Sequence, residues 1–338
     1  MFNNVYRYLR TDDWLDSKVP FMISVALLSY LYIDNNISCI DMYLSVGAYF
    51  LYVSMFLAFS YVINDFTDME IDKKAGKKKV MHKLPKPVIV ITMIALVFVG
   101  VLPMFAIVVE KVSYLVYTLV LYIAGSAYSV PYLLRFKERG FIGLIECSVA
   151  QRCMPLIPIV FLFPINWIFL GVFIILSFVN GIRYILIHQA IDYENDIKTG
   201  VKTYVSEGHN KYKAYVFAAF FIECLLFIEI FAWLAMHRFY VLCVLLLYCV
   251  FELIIDTVVK KYMKTNLFCT FIAVPLEALY NVFFPIMAAI LLTIENYAYC
   301  GILAFLIIIT FKPFKGKFAF VIRFCKIKRK KKKESYRR

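Results

Sequence analysis

The sequence predicts an all-α polytopic membrane protein of nine to ten spanning helices, on three observations. Of its 338 residues 63% are hydrophobic and the mean hydropathy is +0.77, whereas a soluble domain runs about 45–50% apolar. Apolar windows near the roughly 20 residues that cross a hydrocarbon core recur along the whole chain. Lysine and arginine fall on alternate loops, 33 of the 37 on one side, which is the asymmetry of a positive-inside topology.

The elements follow in order. Residues 1–19 carry Arg7, Arg10, Asp12, Asp13, Asp16 and Lys18; they are too polar for a cleaved signal peptide and read as a cytoplasmic N-terminal segment. Apolar spans are expected at about 20–34, 41–63, 87–109, 112–134, 141–164, 167–191, 214–236, 239–259, 267–292 and 297–311, within a few residues. The first and last are short for a full crossing, hence nine or ten. An even count returns the basic tail, 312–338, to the cytoplasmic side. The expected division is therefore an N-terminal segment 1–19, a helical membrane domain 20–311 and a tail 312–338.

The net charge of +14 does not imply nucleic acid. The run Lys328-Arg329-Lys330-Lys331-Lys332-Lys333 follows a membrane-proximal segment, and such runs are drawn to anionic lipid headgroups at roughly 1 kcal/mol per basic residue. The nine cysteines form no C-x-x-C pair and the four histidines are scattered, so neither a disulfide framework nor a zinc site is expected.

Two acidic clusters stand out at cytoplasmic ends of spans. One reads Asn64-Asp65-Phe66-Thr67-Asp68-Met69-Glu70-Ile71-Asp72, the other Asp192-Tyr193-Glu194-Asn195-Asp196. Carboxylates beside a bilayer cost about 2.5–3.5 kcal/mol each at the centre of a span, so they mark function. If one helix runs through the first cluster, Asp65, Asp68 and Asp72 lie within about 60° on a single face. Clustered carboxylates call for a cation, and oxygen donors without Cys or His select a hard ion such as Mg²⁺, completed by phosphates and water. Each cluster runs on through lysine to glycine, Asp72-Lys73-Lys74-Ala75-Gly76 against Asp196-Ile197-Lys198-Thr199-Gly200, as in an internal repeat with a shared site. Basic residues able to hold phosphate are Lys73, Lys74, Lys77, Lys78 and Lys79, with Lys198 and Lys202 on the other side, together with Arg135 and Lys137 in the turn after Tyr128-Ser129-Val130-Pro131. Arg152 and Arg183 lie inside spans, where each needs a partner or a wet cavity; Glu146, Asp192 and Glu277 are the acids considered.

These motifs resemble the UbiA superfamily of intramembrane prenyltransferases. Asn64-Asp65-x-x-Asp68-x-x-x-Asp72 matches its N-D-x-x-D-x-x-x-D signature. Asp192-x-x-x-Asp196 followed by Gly200 matches the second, and Tyr128-Ser129-x-Pro131 with Arg135, Lys137 and Gly140 resembles its Y-S-x-P…R-x-K-x-x-G segment. The resemblance implies a helical bundle around a central cavity. It makes Asp65, Asp68 and Asp72, assisted by Asn64, one Mg²⁺ site, and Asp192 and Asp196 the other. Tyr128, Ser129, Arg135, Lys137, Lys73, Lys78 and Lys198 become contacts for a polyprenyl diphosphate. The implied reaction transfers the prenyl group to an acceptor, by default an aromatic quinone precursor; a sugar- or glycerol-phosphate acceptor is the alternative. A cation-coupled transporter using Arg183 as a relay is the rival from another class. Where the family often has Arg-Pro after the first motif, this chain reads Met81-His82-Lys83-Leu84-Pro85, and Tyr132 stands where a second proline is common.

Overall fold

The computed structural model describes residues 2–31, 37–74, 76, 79–130, 134–208, 211–262, 276–312 and 314–315; Lys78, Pro131 and most of the basic tail lie outside them. The described residues are helical, with no strand among them. They form two compact units, Met1–Phe227 and Ile228–Arg338.

In the first unit, two short helices, α1 (Phe2–Tyr8) and α2 (Thr11–Trp14), precede α3 (Val19–Leu31). The unit continues with α4 (Cys39–Thr67), α5 (Met69–Lys74), α6 (Lys86–Ile107), α7 (Lys111–Ala127), α8 (Gly140–Ser148) and α9 (Trp167–Thr199). After α8 the chain winds on as a π turn, Val149–Cys153, and a 3₁₀ stretch, Met154–Phe161. The next helix, α10 (Tyr212–His237), begins in this unit, and α11 (Val241–Tyr262) lies in the second.

Each of the ten expected spans meets an apolar helix. Among the described residues six helical stretches are long and apolar enough to cross a membrane: 39–67, 86–107, 140–161, 167–194, 212–237 and 276–295; 19–31, 111–127, 241–254 and 297–312 are shorter, and positions 267–275 of the expected 267–292 span lie outside the described residues. Large apolar side chains such as Ile91, Phe98, Val112 and Leu119 point outward from α6 and α7. Contiguous outward apolar faces on helices of this length suit lipid rather than water, and the protein is an integral, multi-pass membrane protein.

Inside a bilayer every backbone carbonyl needs a donor, and the 3₁₀ stretch after α8 shows how this chain supplies two. Pro155 and Pro158 have no N–H to offer, so this stretch is short of backbone donors. The hydroxyl of Tyr117 donates to Met154 O at 2.6 Å and that of Tyr49 to Pro155 O at 2.8 Å. The same two helices, α4 and α7, interlock through Tyr52 and Thr118 and through rings of Phe56, Phe59, Tyr114 and Tyr122 with centroids 4.9–5.8 Å apart. The stack holds the C-terminal end of α4, which carries Asp65, in a fixed place.

Arg183 on α9 pairs with an acid outside the three named from the sequence. Its guanidinium is 0% exposed and forks onto Glu223 of α10, also 0% exposed, at 2.5 and 3.0 Å; Asn180 adds a third donor at 3.2 Å. Glu223 sits in a predominantly apolar span that also carries Glu229, and its pairing with a residue 40 positions away leaves no sequence signal. In the second unit, Phe231 packs on Phe284 and Tyr248 on Phe283, while Arg238 pairs with Glu295.

Breaking a buried pair by removing one partner strands the other charge, at about 3–5 kcal/mol, whereas apolar replacement of both is often neutral. Glu223→Ala should therefore lower stability in SDS unfolding by about that amount. The double variant Arg183→Met/Glu223→Leu should recover most of the loss. Equal losses in the two would contradict a charge-pairing role.

Candidate functional site

The first acidic cluster spans a helix break rather than one continuous helix. α4 ends at Thr67, Asp68 caps it with φ −92° and ψ 2°, and α5 starts at Met69. The break divides the acids. Asp65 and Asp72 are 4% and 5% exposed and turn toward the same ammonium: Lys79 Nζ lies 2.6 Å from Asp65 Oδ1 and 2.6 Å from Asp72 Oδ2. The Asp65 contact is a hydrogen bond, and the Asp72 contact is an ion pair by distance. Asp68 faces elsewhere, to Lys137, with Arg135 NH2 at 3.7 Å. The single acidic face expected from one unbroken helix is thus a pair plus one.

Lys79 is held by a short 3₁₀ turn, Val80–Lys83, whose Met81 is buried. Burial alone would depress its ammonium, but Asp65 and Asp72 outweigh that and hold its pKa above the ordinary lysine value. Lys137, with one close acid and Arg135 nearby, goes the other way: burial dominates and lowers it. The N-terminal segment also reaches the site. Arg10 NH1 lies 3.2 Å from Asp65 Oδ1 while its Nε bonds Asp13 at 2.6 Å. Trp14, buried and donating to Leu9 O at 2.8 Å, anchors that segment. Burial opposes the charge of Arg10, and Asp65 and Asp13 more than compensate.

The segment from Tyr128 to Lys137 is tied back on itself by Lys137 N donating to Tyr128 O at 3.1 Å. Ser129, buried, donates to Asn64 Oδ1 at 2.8 Å and so joins this segment to the first motif. Packing against α8 fixes its position, since a Cβ on Gly143 would stand 2.3 Å from Phe136 O. Among the described residues the only non-glycine positions with positive φ are Arg10 at 50° and Arg135 at 44°. Such residues cost of order 1–3 kcal/mol and gather at functional sites; here both are arginines aimed at aspartates of the first motif.

The second motif lies near the end of α9. Asp192 is half exposed, with His188 Nδ1 3.4 Å away, and Asp196 accepts from Thr203 Oγ1 at 3.3 Å. Gly200, with φ 71°, closes the helix: its N–H donates to Ile197 O and that of Val201 to Asp196 O, the double bond pattern of a left-handed glycine cap. Gly76 has φ 72° after Asp72, so the recurrent Asp-x-x-x-Gly spacing places a left-handed glycine at the same offset after both motifs. Lys73 and Lys198 are exposed and touch none of these acids in the contacts given above. Among the described residues no three Asp, Glu, His or Cys side chains form a group able to hold a metal ion. What the site offers is a buried carboxylate pair already sharing one cation, ringed by Arg10, Arg135 and Lys137. Arg10 and Lys79 gave no sequence signal that set them apart from their basic neighbours; the buried Trp14 and the apolar Val80-Met81 beside them are the only hints.

The sequence matches the model of the UbiA prenyltransferase family over residues 20–274. No curated protein sequence matches it. Among solved structures, a UbiA homolog from Archaeoglobus fulgidus bound to DMAPP and Mg²⁺ superposes with a TM-score of 0.55 at 18% identity, covering 85% of this chain and 99% of that one. The same description with GPP and Mg²⁺ gives 0.55 at 19%, covering 84% and 98%. An apo UbiA homolog from Aeropyrum pernix K1 gives 0.53 at 12%, covering 78% and 96%. At these identities the likeness is one of fold.

Removing the shared ammonium should leave two buried carboxylates facing each other, at a cost of about 1–3 kcal/mol or more. Lys79→Met should lower the unfolding temperature in detergent, and Lys79→Met/Asp72→Asn should restore part of it. A Lys79→Met protein as stable as the parent would show that the bridge contributes nothing.

Proposed function

This chain belongs to the UbiA prenyltransferase family, and from that premise we propose that it transfers a prenyl group from a polyprenyl diphosphate to an acceptor in a Mg²⁺-dependent reaction that releases diphosphate. The observation that carries the reading is the Asp65–Lys79–Asp72 bridge. Two buried carboxylates that already converge on one cation, with the Asn64 amide oxygen beside them, are the donor set a hard divalent ion takes. Asp65, Asp72, Asp68 and Asn64 would hold one ion, and Asp192 and Asp196 the other. Bound there, magnesium would supply Lewis-acid polarisation of the departing diphosphate.

The chain's own residues do the rest. Lys79, Lys137 and Arg135 hold the aspartates by charge, and the same groups can hold phosphate oxygens, Arg135 with its fork and the lysines as point charges. Loading the donor is then an exchange of partners in which aspartates release cations to phosphate. Ser129 fixes the Asn64 side chain by donating to its oxygen. Tyrosine and phenylalanine faces along α4 and α7 give a developing allylic cation aromatic surroundings and little water. The alternation of basic loops supports a cytoplasmic placement of this face, with nine or ten crossings. A transporter would need a free intramembrane charge, and Arg183 is closed by Glu223.

Purified protein given Mg²⁺, labelled geranyl diphosphate and membrane extract should release diphosphate and form a prenylated product. EDTA should abolish the reaction, and Asp68→Asn or Asp192→Asn should slow it by roughly 10²–10³-fold. Turnover indifferent to EDTA and to both substitutions would overturn the proposal.

If Lys79 competes with the ion for Asp65 and Asp72, Lys79→Gln should bind Mn²⁺ alone more tightly, as read by electron paramagnetic resonance, yet transfer the prenyl group more slowly. Unchanged Mn²⁺ affinity would contradict the exchange.

A further inference from the structure

The connection after the second motif is built more tightly than a surface loop requires. Loops run over the outside of a protein, because buried backbone leaves polar groups that are hard to satisfy. Here Thr203, Tyr204 and Val205 are buried, at 9%, 8% and 4% exposure. Val205 N–H donates to Oε1 of Gln189 on α9 at 3.3 Å, and Gln189 is buried too. Thr203 and Ser206 cap each other. Ser206 N–H donates to Thr203 Oγ1 at 3.2 Å, and Thr203 N–H donates to Ser206 Oγ at 2.7 Å, the reciprocal pattern of a capping box. Glu207 N–H then closes a single turn onto Thr203 O at 3.0 Å.

This turn completes a ring of hydrogen bonds through Asp196. Val201 N–H donates to the Asp196 carbonyl at 3.0 Å, and Ser206 Oγ donates to the Val201 carbonyl at 3.0 Å. Thr203 Oγ1 accepts from Ser206 N–H and spends its own proton on Asp196 Oδ2, at 3.3 Å. The turn is also seated on the start of α8. The ring centres of Tyr204 and Phe141 are 6.1 Å apart, and a Cβ on Gly140 would stand 3.1 Å from Glu207 Oε2. Asp196 is thereby tied to the segment that carries Arg135 and Lys137. The contact of Asp192, by contrast, is His188, one turn back on the same helix. A carboxylate that accepts one hydroxyl proton keeps lone pairs for an ion and presents them in a fixed plane.

We infer that Thr203 is a positioning residue for prenyl transfer: its hydroxyl sets the orientation in which Asp196 meets the second divalent ion. The inference rests on the prenyl-transfer reading and adds to it a residue outside both acidic motifs. Thr203 itself touches neither ion nor diphosphate in this role and acts through Asp196. Hydrogen-bond partners of metal ligands contribute about 10–100-fold in metal affinity.

The test is Mn²⁺ titration of the full chain in detergent with geranyl diphosphate, read by electron paramagnetic resonance. Thr203→Val keeps the side-chain shape and removes the hydroxyl; it should weaken one Mn²⁺ by about 10–100-fold. Thr203→Ser should restore most of the affinity. In an Asp196→Asn background Thr203→Val should have little further effect, because the group it orients has changed. In turnover, Thr203→Val should raise the Mg²⁺ concentration that gives half-maximal rate by a similar factor, while kcat at saturating Mg²⁺ falls far less. A merely structural role would lower kcat without moving the Mg²⁺ dependence. If Thr203→Val does not fold, Thr203→Ala takes its place in each comparison. The inference is overturned if the variant binds Mn²⁺ like the parent, if serine loses as much as valine, or if the loss is undiminished in the Asp196→Asn background. A parent that takes up no Mn²⁺ with geranyl diphosphate counts against the prenyl-transfer reading itself, and the role of Thr203 falls with it.

Discussion

Two carboxylates buried at the end of a membrane helix cannot stand without a cation, and this constraint organises the site. Asp65 and Asp72 meet it with one ammonium, Lys79, at 2.6 Å from each. To bring Lys79 there the chain folds a 3₁₀ turn after a lysine run. To seat Asp65 it brings Arg10 from the N-terminal segment in a left-handed conformation. The helix break at Asp68 follows the same logic: a single straight face would set three negative charges in a row, whereas the break gives Asp68 its own partners, Lys137 and Arg135.

The helices behind the site are built for immobility. Pro155 and Pro158 interrupt the stretch after α8, and tyrosines from α4 and α7 supply the missing donors, so a break that would loosen a soluble helix here locks three segments together. Arg183 and Glu223 do the same between α9 and α10. Rigidity matters for a reaction whose leaving group is stabilised by charges placed in advance.

Much of this was legible in the sequence because its periodicities are coarse. A bilayer sets helix length, so ten apolar stretches could be placed, and each meets an apolar helix, six of them of crossing length. The recurring spacing Asp72…Gly76 and Asp196…Gly200 was visible in the sequence, and in the structure both glycines take the left-handed conformation, which costs glycine no Cβ clash. What stayed hidden was pairing across distance. Lys79 looked like its neighbours, Glu223 like a stray acid in an apolar span, and Arg10 and Lys18 like topology signals. Their partners lie 14 to 133 residues away, and no local pattern encodes such a match. The break at Asp68 was equally silent, because Asn64–Lys74 contains neither glycine nor proline.

In the proposed reaction Asp65 and Asp72 form one cation seat that passes from Lys79 to a divalent ion when a prenyl diphosphate arrives. An anomalous-scattering map from crystals grown with Mn²⁺ and geranyl diphosphate tests it most directly. A manganese peak should appear between the two carboxylates, with the Lys79 ammonium moved onto a phosphate oxygen. A map with Lys79 still bridging Asp65 and Asp72, and manganese bound elsewhere, would contradict it.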